Sequence, residues 1–170
     1  MTGPEFQLKT LAANAVPAAL ERAERYRLLN EPAQAESICL DILRADPANE
    51  QAIILLLLAL TERFSESISE NLDRALALLP KLRDEYQRVY YRGIVHERQA
   101  RAILSRSNPG AGHAAYERFR EAMKCYEKAE GMRPTGNDEA LLRWNTCART
   151  IMASRLESAP ADDSSSLMLE

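Results

Sequence analysis

Few side chains in this sequence are placed for chemistry, and their spacing limits what that chemistry can be. His96-Glu97-Arg98-Gln99-Ala100 opens like the helical zinc-hydrolase pattern His-Glu-x-x-His, in which two imidazoles one turn apart hold the metal. Ala100 stands where the second imidazole belongs, so no metal site forms, and His96 is read as a packed or groove-lining histidine. Gly110-Ala111-Gly112-His113-Ala114-Ala115 loosely echoes a dinucleotide-binding turn, but it follows a helical stretch and not a strand, so it reads as a loop opening a helix. The chain has two histidines, His96 and His113, and neither has an evident Ser or Cys nucleophile beside it. That leaves little material for general acid–base work. Cys39, Cys125 and Cys147 are odd in number, lack metal-ligand spacing and sit among apolar residues at helical intervals. They are expected to be buried, reduced thiols. The expectation is a chain that is not an enzyme and holds no cofactor and no metal.

The charged residues are equally undramatic. Net charge is −3, so nothing global attracts nucleic acid or an anionic membrane. Arg83, Arg88, Arg92, Arg98, Arg101 and Arg106 recur along one stretch, interrupted by Asp84, Glu85 and Glu97. A basic helix of this kind can hold nucleic acid, but the chain is acidic overall and aromatics here are few. A solvated or internally paired face is expected, with no nucleic-acid partner. The many carboxylates are read as solvated helix faces.

These residues must be positioned by helices. Gly is sparse, aromatics are few, and Ala, Leu, Glu and Arg abound, which favours helix over sheet. Ala52–Leu60 reads Ala-Ile-Ile-Leu-Leu-Leu-Leu-Ala-Leu and is apolar on every side. A surface helix would show one stripe, so this segment must be covered all round. A membrane span needs about 20 apolar residues, and this run is much shorter, with polar residues at both ends. It is expected to be the central helix of an all-α domain with no membrane partner. No cationic segment followed by an apolar run opens the chain, so no signal peptide is expected and a cytoplasmic location follows by default.

The breakers divide the rest. A lead-in, 1–15, is flexible or loosely helical, and Met1–Phe6 carries no structural signal. Helices are expected at about Val16–Leu29, with Leu20, Ala23, Tyr26 and Leu29 or Arg27 buried, and from Pro32 to about Ala45, with Ala35, Ile38, Cys39, Ile42 and Leu43 buried. Asp46-Pro47 ends the second. The central helix spans about Glu50–Phe64. Ser65–Ser69 is a loop, and a fourth helix carries Leu72, Ala75, Leu76, Leu79 and Leu82. A long fifth runs from near Asp84 to Ser105. Ser107-Asn108-Pro109-Gly110-Ala111-Gly112 is the strongest break in the chain. The sixth helix, about His113–Met132, buries Tyr116, Phe119, Ala122, Met123, Tyr126 and Ala129. Thr135 or Asn137 caps a seventh, whose seam is Leu141, Trp144, Ala148, Ile151 and Met152. Residues 158–170, polar and acidic, have too few apolar groups to offset their ordering entropy and are expected to be disordered. Leu167-Met168-Leu169 is the one stretch of that tail suited to docking.

Two of these hairpins share a register. Ala35, Cys39, Ile42 and Pro47 are matched, residue for residue, by Ala122, Tyr126, Ala129 and Pro134, and Ala23 and Tyr26 precede the first set as a small residue and an aromatic. This resembles the tetratricopeptide repeat, a helix pair of about 34 residues closed by Pro. The likeness covers Val16–Asn49 and Phe119–Pro134 and is partial elsewhere. Ala75, Leu79 and Leu82 repeat the register without a closing Pro, and Gly93 lies too far from Ala122 for a standard repeat. The resemblance implies hairpins 16–49, 50–82 and a lengthened 84–134, then a capping helix 137–157, together a helical domain 16–157.

Members of that family use the concave face of their first helices to hold a partner's peptide or helix. The resemblance therefore implies a protein-interaction module or adaptor whose groove is lined by Leu20, Glu24, Ile54, Leu58, Tyr90, Ile94, Arg98, Asn145 and Arg149. The family's best-known ligand is a C-terminal carboxylate clamped by Lys, Arg and Asn. The matching positions here, Leu20, Glu24, Leu55, Gln87 and Tyr91, are neither basic nor Asn, so that ligand is disfavoured. The expected ligand has apolar anchors and some negative charge. A self-associating structural subunit, a homodimer among the options, is the alternative.

Overall fold

In the computed structural model, which describes residue 3 and residues 5–161, every regular element is helical. Seven α-helices and two short 3-10 turns follow one another, and no strand is present among the described residues. The chain clusters into two units, Met1–Arg88 and Val89–Glu170.

The first unit holds α1 (Val16–Leu28), α2 (Pro32–Ala45), α3 (Glu50–Glu62) and α4 (Ile68–Leu78), with 3-10 turns at Ala13–Ala15 and Leu79–Lys81. Helices adjacent in sequence pack on one another, and α1 also touches α3. Pro17 and Pro32 lie in first turns, where the missing N–H costs nothing. The α1–α2 turn closes as a Schellman motif. Asn30 adopts the left-handed conformation, and Asn30 N–H and Glu31 N–H donate to the carbonyls of Arg27 and Tyr26. Asn49 caps α3 by accepting from Ala52 N–H at 3.0 Å.

The apolar helix is the core, as its all-round pattern requires. Ala52, Ile53, Leu55, Leu56, Leu57, Ala59 and Leu60 are buried, and only Ile54 and Leu58 are half-exposed. Ala23, Ala35, Cys39, Ile42 and Ala75 pack around it at zero exposure. One carboxylate joins this core, beside the buried Thr61 and Asn71. Glu36 on α2 is buried and accepts hydrogen bonds from Arg63, the C-cap of α3, and from Arg74 on α4. The expectation that the carboxylates are solvated thus fails at Glu36, because two guanidiniums from different helices replace its water. Leu29 and Leu76 are corrections as well. Leu29 lies past the last turn of α1 and is exposed, and Leu76 faces outward on α4.

The second unit holds the body of α5 (Glu85–Ser105), α6 (Ala111–Gly131) and α7 (Glu139–Ala153). Asp84 caps the start of α5, its side chain accepting from Gln87 N–H at 3.2 Å. Gly110, at φ 77°, supplies the left-handed turn from which α6 starts, two residues earlier than the glycine-rich break suggested. Asn137 accepts from Glu139 N–H at 3.1 Å and opens α7.

The seam of α7 is rotated from the one expected. Ala140 and Cys147 are fully buried, whereas Leu141, Trp144, Ala148 and Ile151 are half-buried and Met152 is exposed. The helix also ends at Ala153, not 157. A second Schellman motif closes it, with Arg155 left-handed and Leu156 N–H donating to Ile151 carbonyl at 3.0 Å. The chain then returns to the start of α6, where His113 Nδ1 lies 2.9 Å from the Glu157 carbonyl. Residues 158–161 are exposed and without regular structure. Most of the expected disordered tail, with Leu167-Met168-Leu169, lies outside the described residues.

Candidate functional site

The second unit is built on one close approach. An ideal Cβ on Gly93 would lie 2.5 Å from Tyr126 Cε1, so the absent side chain is what lets the α6 ring lie against the α5 backbone. Tyr126 is fully buried, and one turn beyond Gly93 its hydroxyl donates to Glu97 Oε2 at 2.7 Å. Glu97 is 1% exposed and is met by two guanidiniums: Arg101 Nη2, one turn on, at 3.2 Å, and Arg143 Nη1 from α7 at 3.4 Å. One carboxylate therefore ties α5, α6 and α7 together. Burial, with the Glu97 charge beside it, pushes the Tyr126 phenol far above its ordinary range, so it is a permanent donor. Burial works against the charge on Arg143, but Glu97, Tyr126 and Tyr90 outweigh it and hold that guanidinium protonated.

This arrangement presents one face of Arg143 to a pocket. Tyr90 of α5 and Glu139, Leu142, Arg143 and Thr146 of α7 line a shallow, open hollow of about 260 Å³. Arg143 hydrogen-bonds the Tyr90 phenol, whose own proton burial holds on. Leu142 is 61% exposed at the rim. The hollow offers an apolar ledge, an aromatic edge and a fixed cation. The Glu139 carboxylate and the Thr146 hydroxyl complete its lining, and its size suits it to receive a side chain.

The nine residues expected in the groove fall unevenly. In the first unit Leu20 is buried, Glu24 is exposed, and Ile54 and Leu58 are half-exposed on α3. In the second, Tyr90 does line the pocket, but Ile94 is 1% exposed and belongs to the core, a correction that follows from its place one residue past Gly93. Arg98 and Asn145 are half-buried and Arg149 is exposed. Facing Tyr90 are Leu142, Arg143 and Thr146, not Asn145. Arg149 lies seven residues beyond Leu142, on the same helical stripe. The rotation of α7 explains the shift. Glu97 was missed as a site organiser because a carboxylate on an Arg-rich helix looks solvated. The available signal was Gly93 exactly one turn before it.

His96, beside this cluster, is half-buried, and its Nδ1 is shielded from solvent without a hydrogen-bond partner. Burial, then Arg118, lowers its pKa. No group of three or more His, Cys, Asp or Glu among the described residues is arranged to hold a metal. All three cysteines are free thiols. Burial pushes Cys39 and Cys147 up to about 12, which leaves them unreactive near neutrality. Of the arginine row, Arg88 donates to the Leu82 and Arg83 carbonyls and Arg101 binds Glu97. No helix is long and apolar enough to cross a membrane among the described residues.

No protein-family model, curated protein or solved structure matches the chain.

Proposed function

We propose that this chain is a protein-interaction module of the tetratricopeptide type, which holds a peptide or helix of a partner on the face of its first helices and is not an enzyme. The observation that supports this reading is the hollow between Tyr90 and Leu142. It lies between α5 and α7, the two first helices of the second unit, and its cation is fixed from behind by the buried Glu97. Tyr and Arg in a preorganised pocket are the side chains from which binding hot spots are made. The hollow is the size of a single anchoring side chain, and Arg143 favours a neighbouring carboxylate or main-chain carbonyl.

The test is capture from a lysate of the native organism on immobilised full chain, in wild-type form and as Leu142→Asp and Tyr90→Ala. Leu142 is exposed enough to change without unfolding, which circular dichroism verifies. Loss of about 2 kcal/mol of affinity for a captured partner in either variant matches the hot-spot scale. Equal capture by all three would remove the pocket from the reading. An oligomer in light scattering that Leu142→Asp dissolves would favour the self-associating alternative.

A further inference from the structure

The first unit carries a second surface, on other helices and unrelated to the Tyr90 hollow. Leu40, Leu56 and Leu78, from α2, α3 and α4, floor an apolar groove of about 410 Å³. Its rim bears Arg44, Arg74 and Lys81, and no acidic side chain lines it. Leu56 and Leu78 are buried, but Leu40 is 43% exposed, so the floor reaches the surface. Arg74 of this rim is held by the core carboxylate already described. Glu36, one turn before Leu40, binds Arg63 and Arg74 and so ties α2, α3 and α4 at one end. Arg74 is thereby neutralised, whereas Arg44 and Lys81 form no ion pair among the described residues.

We infer that this groove is a docking site for an amphipathic helix of a partner protein, one that presents leucine-sized residues at i, i+3/i+4 and i+7 and carboxylates along its flank. The apolar floor takes the stripe, as helix-in-groove recognition requires. Arg44, which follows Leu40 by one helical turn, and Lys81, three residues past Leu78, then meet acidic side chains on either flank. Charge complementarity selects this occupant over a basic helix, because the rim offers cations and no anion.

The experiment is selection of peptides from a displayed random 16-residue library on the full chain. The selected peptides are then titrated by fluorescence anisotropy against wild type, Arg44→Glu/Lys81→Glu, Leu40→Asp and Leu142→Asp. Expected are peptides with a leucine-like stripe and Asp or Glu flanks, weakened at least tenfold by the charge-reversing pair and by Leu40→Asp, and unaffected by Leu142→Asp. Recovery of no such peptides, or binding indifferent to the charge-reversing pair, overturns the proposal. A chain ending at Ala161 is run in parallel. Peptides that bind only this shortened chain would give the groove to its own acidic, Leu-Met-Leu-bearing tail. A wild-type dimer in light scattering that Leu40→Asp converts to monomer would give it to a second copy. Either result overturns the partner assignment. Because Leu142→Asp is read separately, failure here leaves the Tyr90 hollow untouched.

Discussion

At the residue scale the molecule depends on buried charge held by opposite charge. Removing one member of a fully buried ion pair costs about 3–5 kcal/mol, because the remaining charge is stranded. Around Glu97 the two arginines are 44% and 37% exposed and can turn toward water, so the cost is smaller. Glu97→Ala is expected to lower unfolding free energy by about 2–3 kcal/mol in urea titration, and Glu97→Gln, which still accepts from Tyr126, by less. Gly93→Ala tests the close approach. Alanine gains about 1 kcal/mol of helix propensity over glycine, but a 2.5 Å clash against a fully buried ring outweighs it, and net destabilisation of about 1–3 kcal/mol is expected. A stabilised variant would show that the ring has room to move. His96 gives a pH signature. Its folded pKa lies below the ordinary 6.5, so the unfolded chain takes up a proton first as pH falls. Stability is therefore lost on acidification from about 6.5 downward. Glu66 and Glu121, held below 4.5 by Arg63 and Lys124, add their own loss only in more acidic solution. Melting temperature should fall between about pH 7.5 and about pH 5.5 in wild type and stay flatter in His96→Gln.

At the element scale, α3 and the end of α7 make opposite demands. α3 is enclosed, and Leu57 has no exposure. Leu57→Asp buries an unpaired carboxylate and is expected to abolish cooperative unfolding. A normal melting curve would contradict the enclosure. The end of α7 works through its backbone. The Schellman turn at Arg155 brings Leu156 and Glu157 back toward Gly112 and His113. A chain ending at Glu157 keeps those contacts, and one ending at Ala153 loses them. The second should melt about 2–6 °C below the first, the shift that roughly 1–2 kcal/mol produces in a chain of this size.

At the scale of the whole molecule, the chain falls into two compact units, each with its own buried glutamate under a pair of guanidiniums. In helical arrays stability is close to a sum of local terms. Gly93→Ala should therefore weaken amide protection in α6 and α7 while α1–α3 keep theirs, as hydrogen exchange would show. Uniform loss along the chain would mean that the units open as one.

The all-α class, the enclosure of Ala52–Leu60 and most helix positions were legible in the amino-acid sequence, because they follow from local rules. An apolar segment without a polar face must be covered, proline opens helices, and Asn, Asp and glycine stop or start them. The facing of α7 was not legible. Its seam, with Ala140 and Cys147 buried, is set by how α7 packs against its neighbours, and the period of the pattern leaves a neighbouring stripe almost equally apolar. Nor was the role of Glu36 and Glu97. A glutamate on a helix reads the same whether it meets water or two arginines from elsewhere in the chain. The energy that distinguishes those cases lies in contacts between residues as far apart as Glu97 and Arg143, and only the tertiary structure brings them together.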